Sequence, residues 1–170
     1  SYSVTGVQTC ALPILSSMID DNLYAIPKPD QEKELISTVA LKGLSVLVVE
    51  DNVSNFVLMA RMLGYLGIHC EWKTSGYEVV EFADSLPKLD LILMDIRLPY
   101  EDGYSALRKI QKSEKLKNIP VVAITAEADP VQIEKAQAAG FNGFLGKPLN
   151  LDRFPDQMRK ILSGIPVWEL

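Results

Sequence analysis

From residue 43 onward the apolar positions follow two alternating rhythms. Short runs at 45–49 (SVLVV), 68–72 (IHCEW), 90–94 (DLILM), 121–125 (VVAIT) and 143–145 (GFL) are bounded by turn residues and are too brief for helices. Such runs predict strands, and those that are apolar throughout predict strands covered on both faces. Between them the apolar residues recur every three or four positions: Phe56, Ala60 and Leu63; Tyr77, Val80 and Phe82; Ala106, Leu107 and Ile110; Ala136 and Ala139. That spacing gives each segment one face to lay against a sheet.

Punctuation agrees with the rhythm. Gly64 and Gly67 close the first helix, Ser75 is placed to cap the second and Pro87 to end it. Asp129 is placed to cap the fourth with Pro130 at its first position, and Gly140 stops it. Asn150 is a candidate cap for the last helix, but Pro155 lacks an amide donor, which shifts the regular helix to a start near Phe154 and an end near Leu162. Strands alternating with helices predict an α/β domain with a parallel sheet. The domain is expected at 43–163, with a short tail at 164–170 in which Trp168 covers some apolar surface.

Residues 1–42 break this pattern. Pro13, Pro27 and Pro29 interrupt every candidate helix, and neither period is sustained, so a leader without packed structure is expected. Its stretch VTGVQTCALPI at 4–14 resembles a translated sequencing adapter and is excluded from fold reasoning. A secretory signal does not fit, because a basic start is missing and the apolar core at 11–15 is too short.

Composition narrows the function. Seventeen basic against 22 acidic residues give a net charge of −5, with no basic run to track phosphates, which argues against nucleic-acid binding. No apolar run approaches the roughly 18 residues of a membrane helix. The two cysteines, Cys10 and Cys70, imply no disulfide framework, and a reducing cytoplasm is expected. The single histidine, His69, lies in the second strand and reads as structural.

The chemistry gathers where the strands end. In parallel α/β sheets ligands bind beyond the carboxyl ends of the strands. There this chain places Glu50 and Asp51 after the first strand, Asp95 after the third, Thr125 at the end of the fourth and Lys147 after the fifth. Any one of them has an ordinary explanation: Asp95 as a turn residue before Pro99, Glu50 and Asp51 as helix caps, Thr125 as a β-former, Lys147 as a solvated loop residue. The matching strand ends overturn that explanation for Asp95, whereas a capping contribution from Glu50 and Asp51 is compatible with a metal role, and Thr125 taken alone would read as a β-former. A carboxylate that attacks phosphorus meets a dianionic group, so a cation must neutralise charge first. Mg²⁺ suits Asp51 and Asp95 as direct ligands and Glu50 through water.

Four segments in order, VVEDN, LILMDIRLPYEDG, VVAITA and FLGKP, resemble the receiver domain of two-component response regulators over about residues 44–162. The resemblance implies a doubly wound, flavodoxin-like fold with five parallel strands in the order 2-1-3-4-5. It implies that Asp95 accepts a phosphoryl group from a histidine kinase or histidine phosphotransfer protein, with Lys147 and Thr125 contacting it. By the same resemblance, the carbonyl of Arg97 is expected to join Glu50, Asp51 and Asp95 around Mg²⁺. The resemblance also implies that Thr125 and Phe144 form a conformational switch, read out on a face made of helix four, strand five and helix five by a downstream protein or a second copy of the chain. Phe144 departs from the family's commoner tyrosine, and the Lys147–Pro148 bond is expected cis. Arg97 and Glu127, flanking the site, are expected to govern the phosphoryl lifetime.

The reading is a single-domain response regulator, not an enzyme beyond its own phosphorylation and dephosphorylation. The alternatives are a receiver belonging to a hybrid kinase or a multidomain regulator, and a non-phosphorylated pseudo-receiver. An aspartate-nucleophile phosphohydrolase would carry a second acid two residues after Asp95, where Arg97 stands.

Overall fold

A computed structural model describes residues 40–170; the expectations for residues 1–39 lie outside them. The elements, in order, are β1 (Ser45–Val49), α1 (Val53–Tyr65), β2 (His69–Lys73), α2 (Val79–Ser85), β3 (Leu91–Asp95), α3 (Gly103–Lys112), β4 (Val121–Thr125), α4 (Pro130–Ala139), β5 (Gly143–Gly146), α5 (Phe154–Leu162) and β6 (Trp168–Glu169). All the strand pairs are parallel, in the order β2-β1-β3-β4-β5-β6. Five of these strands are those predicted. The sixth comes from the stretch expected to be a tail, which lies along the outer edge of β5.

Each central strand serves two cores because successive side chains point to opposite faces. Val46, Val48, Leu91, Leu93, Val122, Ile124 and Leu145 pack with Met59, Met62 and Leu63 of α1 and with Phe154, Met158 and Ile161 of α5. Leu47, Val49, Ile92, Met94, Val121, Ala123 and Phe144 meet α2, α3 and α4 on the other face. The central strands are wholly buried, whereas β2, an edge strand, is only partly covered. The helix α4 buries only Ala136 fully, so it is the least firmly anchored of the five.

Caps set most of the boundaries. The side chain of Asn52 accepts the Asn55 amide at 3.1 Å, that of Asp102 the Ser105 amide at 2.9 Å, and that of Asp129 the Gln132 amide at 2.9 Å. Gly140 ends α4 at φ 95°, a conformation that costs glycine little. Two caps differ from expectation. Ser75 caps nothing, since α2 starts at Val79 after a left-handed Glu78 (φ 52°). Asn150 caps only a preliminary turn, accepting the amides of Asp152 and Arg153 at 2.9 and 3.2 Å, before α5 begins at Phe154.

Candidate functional site

Parallel strands in close register deliver their carboxyl ends to one edge. Val49 is level with Met94, Asp95 with Ile124, and Thr125 with Gly146. Glu50 and Lys147, each one residue beyond its strand, therefore meet across 97 positions of sequence.

Glu50 is buried and held at every polar atom the site can reach. Its Oε1 accepts the Asn52 amide at 3.0 Å and the Asn55 side-chain amide at 3.3 Å. Its backbone N–H donates to the Lys73 carbonyl at 3.0 Å, and its own carbonyl accepts the Trp72 indole N–H at 2.8 Å. The Trp72 ring in turn stacks on Phe56 of α1, with centroids 4.2 Å apart. Asp95, also buried, accepts the Arg97 amide on Oδ1 at 2.8 Å. The Lys147 ammonium lies 2.5 Å from Asp95 Oδ2 and 2.5 Å from Glu50 Oε2, so one cation bridges both acids.

Burial raises the Asp95 carboxyl above its ordinary pKa, and the Glu50 charge adds to the rise; the hydrogen bonds from Lys147 and Arg97 offset this only in part. Burial would lower the Lys147 ammonium, but its bonds to Asp95 and Glu50 outweigh that and raise it. Asp51 is exposed at the mouth. One carboxylate oxygen each from Glu50, Asp51 and Asp95 lie within 4.8 Å of one another. Such an all-oxygen acidic set suits a hard divalent cation of the Mg²⁺ type.

The other expected residues fall as follows. Thr125 is buried, its Oγ1 accepting the Glu127 amide at 3.2 Å and its carbonyl the Lys147 amide at 2.8 Å. Phe144 is fully buried in the α2–α3–α4 core. The Arg97 guanidinium turns away from Asp95 to pair with Glu127. The Lys147–Pro148 bond is cis. Beside the site a cleft of about 960 Å³ opens between the β3–α3 loop and α4, lined by Arg97, Tyr104, Thr125, Glu127 and Lys135 among others. Sequence reasoning missed Asn52, Asn55 and Trp72 as the groups that orient Glu50. The two asparagines leave a signal, an Asn-x-x-Asn start to a helix beside paired acids; the indole leaves none, since nothing in a sequence states which strand lies next to which carbonyl.

Residues 46–159 match the model of the response regulator receiver domain. Among curated relatives, hybrid signal transduction histidine kinase G of Dictyostelium discoideum is 43% identical over 123 residues, which are 71% of this chain and 4% of that protein. The response regulator DivK of Brucella ovis is 33% identical over 119 residues, 70% of this chain and 96% of its own length. The chain thus spans a small part of the kinases it matches and nearly the whole of the stand-alone regulator. Among solved structures, the receiver domain of sensor histidine kinase PA1611 from Pseudomonas aeruginosa, with magnesium in its active-site cleft, is 35% identical at a TM-score of 0.64 over 72% of this chain and 98% of its own. The receiver domain of Ssk1 from Saccharomyces cerevisiae, crystallised with the histidine phosphotransfer protein Ypd1, matches at 30% identity and a TM-score of 0.63, covering 72% of this chain and 90% of that one. The register of the strands, the acids at their ends and these likenesses lead to one conclusion: the chain belongs to the response regulator receiver domain family.

Proposed function

We propose that Asp95 accepts a phosphoryl group from a phosphohistidine on a histidine kinase or phosphotransfer protein. The observation that carries this is the placement of Lys147 between Asp95 and Glu50. An Asp95 carboxylate oxygen attacks phosphorus while the P–N bond to the donor imidazole breaks, and the imidazole leaves with the bonding pair. Burial favours attack, because a carboxylate stripped of water is readily approached. Lys147 neutralises a phosphoryl oxygen, and the Thr125 hydroxyl, whose oxygen already accepts from Glu127, keeps its proton free to donate to another. Glu50, Asp51, Asp95 and the Arg97 carbonyl would hold Mg²⁺, which when bound supplies further neutralisation of phosphoryl charge.

Val53, Val57 and Leu58 leave an apolar stripe exposed on α1, next to a small hollow between Met59, Pro148 and Leu149 beside Lys147. This stripe suits a helical phosphodonor protein, and the likeness to the Ypd1-bound receiver supports it. The product is an acyl phosphate, and its charge is read through Thr125 and Phe144 on the α4–β5–α5 side, by a downstream protein or a second copy. Turnover is confined to the domain's own phosphorylation and dephosphorylation, and the half-buried Cys70, in no disulfide among the described residues, suits a reducing cytoplasm. The receiver domain is taken as 43–163, with β6 beyond it adding an edge strand to its sheet. A stand-alone regulator is the first reading; a receiver within a hybrid kinase is the second, favoured by the 43% identity to such a kinase.

Intact-protein mass after incubation with Mg²⁺ and acetyl phosphate tests the proposal. One phosphoryl adduct is expected in the native chain and none in Asp95→Asn or with chelator. An adduct that persists in Asp95→Asn would overturn the assignment.

A further inference from the structure

The chain's own residues 167–170 lie along the outer edge of β5. The Phe144 amide donates to the Val167 carbonyl at 2.7 Å, and Phe144 and Leu145 run level with Trp168 and Glu169 in parallel register. Glycines at both ends of β5 make room for the segment. A Cβ on Gly143 would lie 2.9 Å from the Val167 carbonyl oxygen, and one on Gly146 would lie 2.9 Å from the Leu170 carbonyl carbon and 2.8 Å from the Ala128 Cβ. Side chains select what lies there. The Glu169 carboxylate accepts Gln157 Nε2 at 2.7 Å and Arg153 Nη2 at 2.8 Å, both from the start of α5. Trp168 packs on the cluster that holds Phe144.

The entropy of ordering a six-residue segment is set against two residues of strand, one half-exposed ion pair, the packing of Trp168 and the burial of Val167 in the α1–α5 core. Gln157 is buried, yet its Oε1 has no donor among the described residues, so part of the clamp is unsatisfied while the chain's own segment fills it. We infer that the β5 edge is a docking site for an extended protein segment carrying an aromatic residue followed by a carboxylate, and that residues 167–170 are its built-in competitor. The docked segment adds a strand to the sheet through main-chain hydrogen bonds, and the aromatic and the acid supply selectivity.

Amide exchange followed by NMR on the full chain tests this, with the Phe144 amide as reporter and the Leu93 amide as control for global opening. Glu169→Lys should speed exchange at Phe144 at least tenfold and leave Leu93 unchanged. Arg153→Glu should do the same, and the charge-swapped pair Arg153→Glu with Glu169→Lys should restore protection. A synthetic peptide of residues 165–170, added to the Glu169→Lys protein, should slow Phe144 again, while the same peptide with Lys in place of its Glu should not. Unchanged Phe144 exchange in both single variants would overturn the self-occupied edge. Equal protection by the two peptides would overturn the selectivity for an acid. If Glu169→Lys exposes Leu93 as well, Arg153→Glu and the swapped pair decide alone, and failure of the swap to restore protection counts against the proposal.

Discussion

The Lys147 ammonium lies 2.5 Å from the Asp95 carboxylate, at the spot where a phosphoryl group on that carboxylate would need compensating charge. The pair is buried, and burial still leaves Asp95 with a raised pKa. In the metal-free fold its ionised form is thus a net cost.

The sign follows from linkage. With a folded pKa above the unfolded one, the native state holds its proton longer, so stability declines as pH rises from the unfolded value through the folded one. At neutral pH, metal-free Asp95→Asn should therefore melt higher than the native chain, by roughly 2–5 °C for a domain of this size. Calorimetry at pH 7 in chelator checks it; a lower Tm would mean that the Lys147 bond outweighs burial.

Mg²⁺ should raise the stability of the native chain by about 1.4 kcal/mol for each tenfold increase above its Kd. Asp51 is exposed and its side chain makes no hydrogen bond among the described residues, so Asp51→Asn should fold normally and lose most of that dependence. Thermal melts across a Mg²⁺ series separate the two.

Arg97 and Glu127 pair across two loops, and each is tied by its backbone amide to a residue of the site, Arg97 to Asp95 and Glu127 to Thr125. Both side chains are largely exposed, so breaking the pair should change stability by less than about 1 kcal/mol. It should open the approach of water: Glu127→Ala is expected to shorten the half-life of the phosphoryl adduct several-fold, measured by loss of the adduct mass after acetyl phosphate is removed.

Burial, with help from the Glu71 charge, pushes the Cys70 thiol up to about 11 from an ordinary 9.0. The thiolate fraction at pH 8 is then roughly a hundredfold smaller than for a free thiol, and alkylation should slow in proportion. Peptide mapping of the Cys70 peptide after brief iodoacetamide treatment, native against unfolded, gives the ratio. The same shift makes Cys70 a source of stability that fades as pH climbs from about 9 towards 11.

Much of this was legible in the chain because the strands are buried on both faces and announce themselves as apolar runs. VVAIT and LILM could be little else, and the acids and the lysine stand at their ends, where parallel register must bring them together. Asp129, Pro130 and Gly140 bounded α4 as the chemistry of caps requires. What failed to show depends on neighbours. Ser75 has the right chemistry for a cap, but a left-handed Glu78 re-aims the chain before α2. The sequence IPVWEL carries no strand rhythm, and its pairing rests on two distant glycines and on Arg153 and Gln157. The Trp72 bond to Glu50 likewise spans 22 residues and two strands.

Glu50 and Lys147 meet across 97 positions, and Lys147 follows β5, which is made after β1 to β4. During synthesis, β1 to β4 are made before the ammonium that completes the site exists. A chain that stops after β4 displays Asp95 without the Lys147 ammonium beside it. The countercharge arrives only with β5, so the site is assembled late in synthesis although three of its four strand ends are made early.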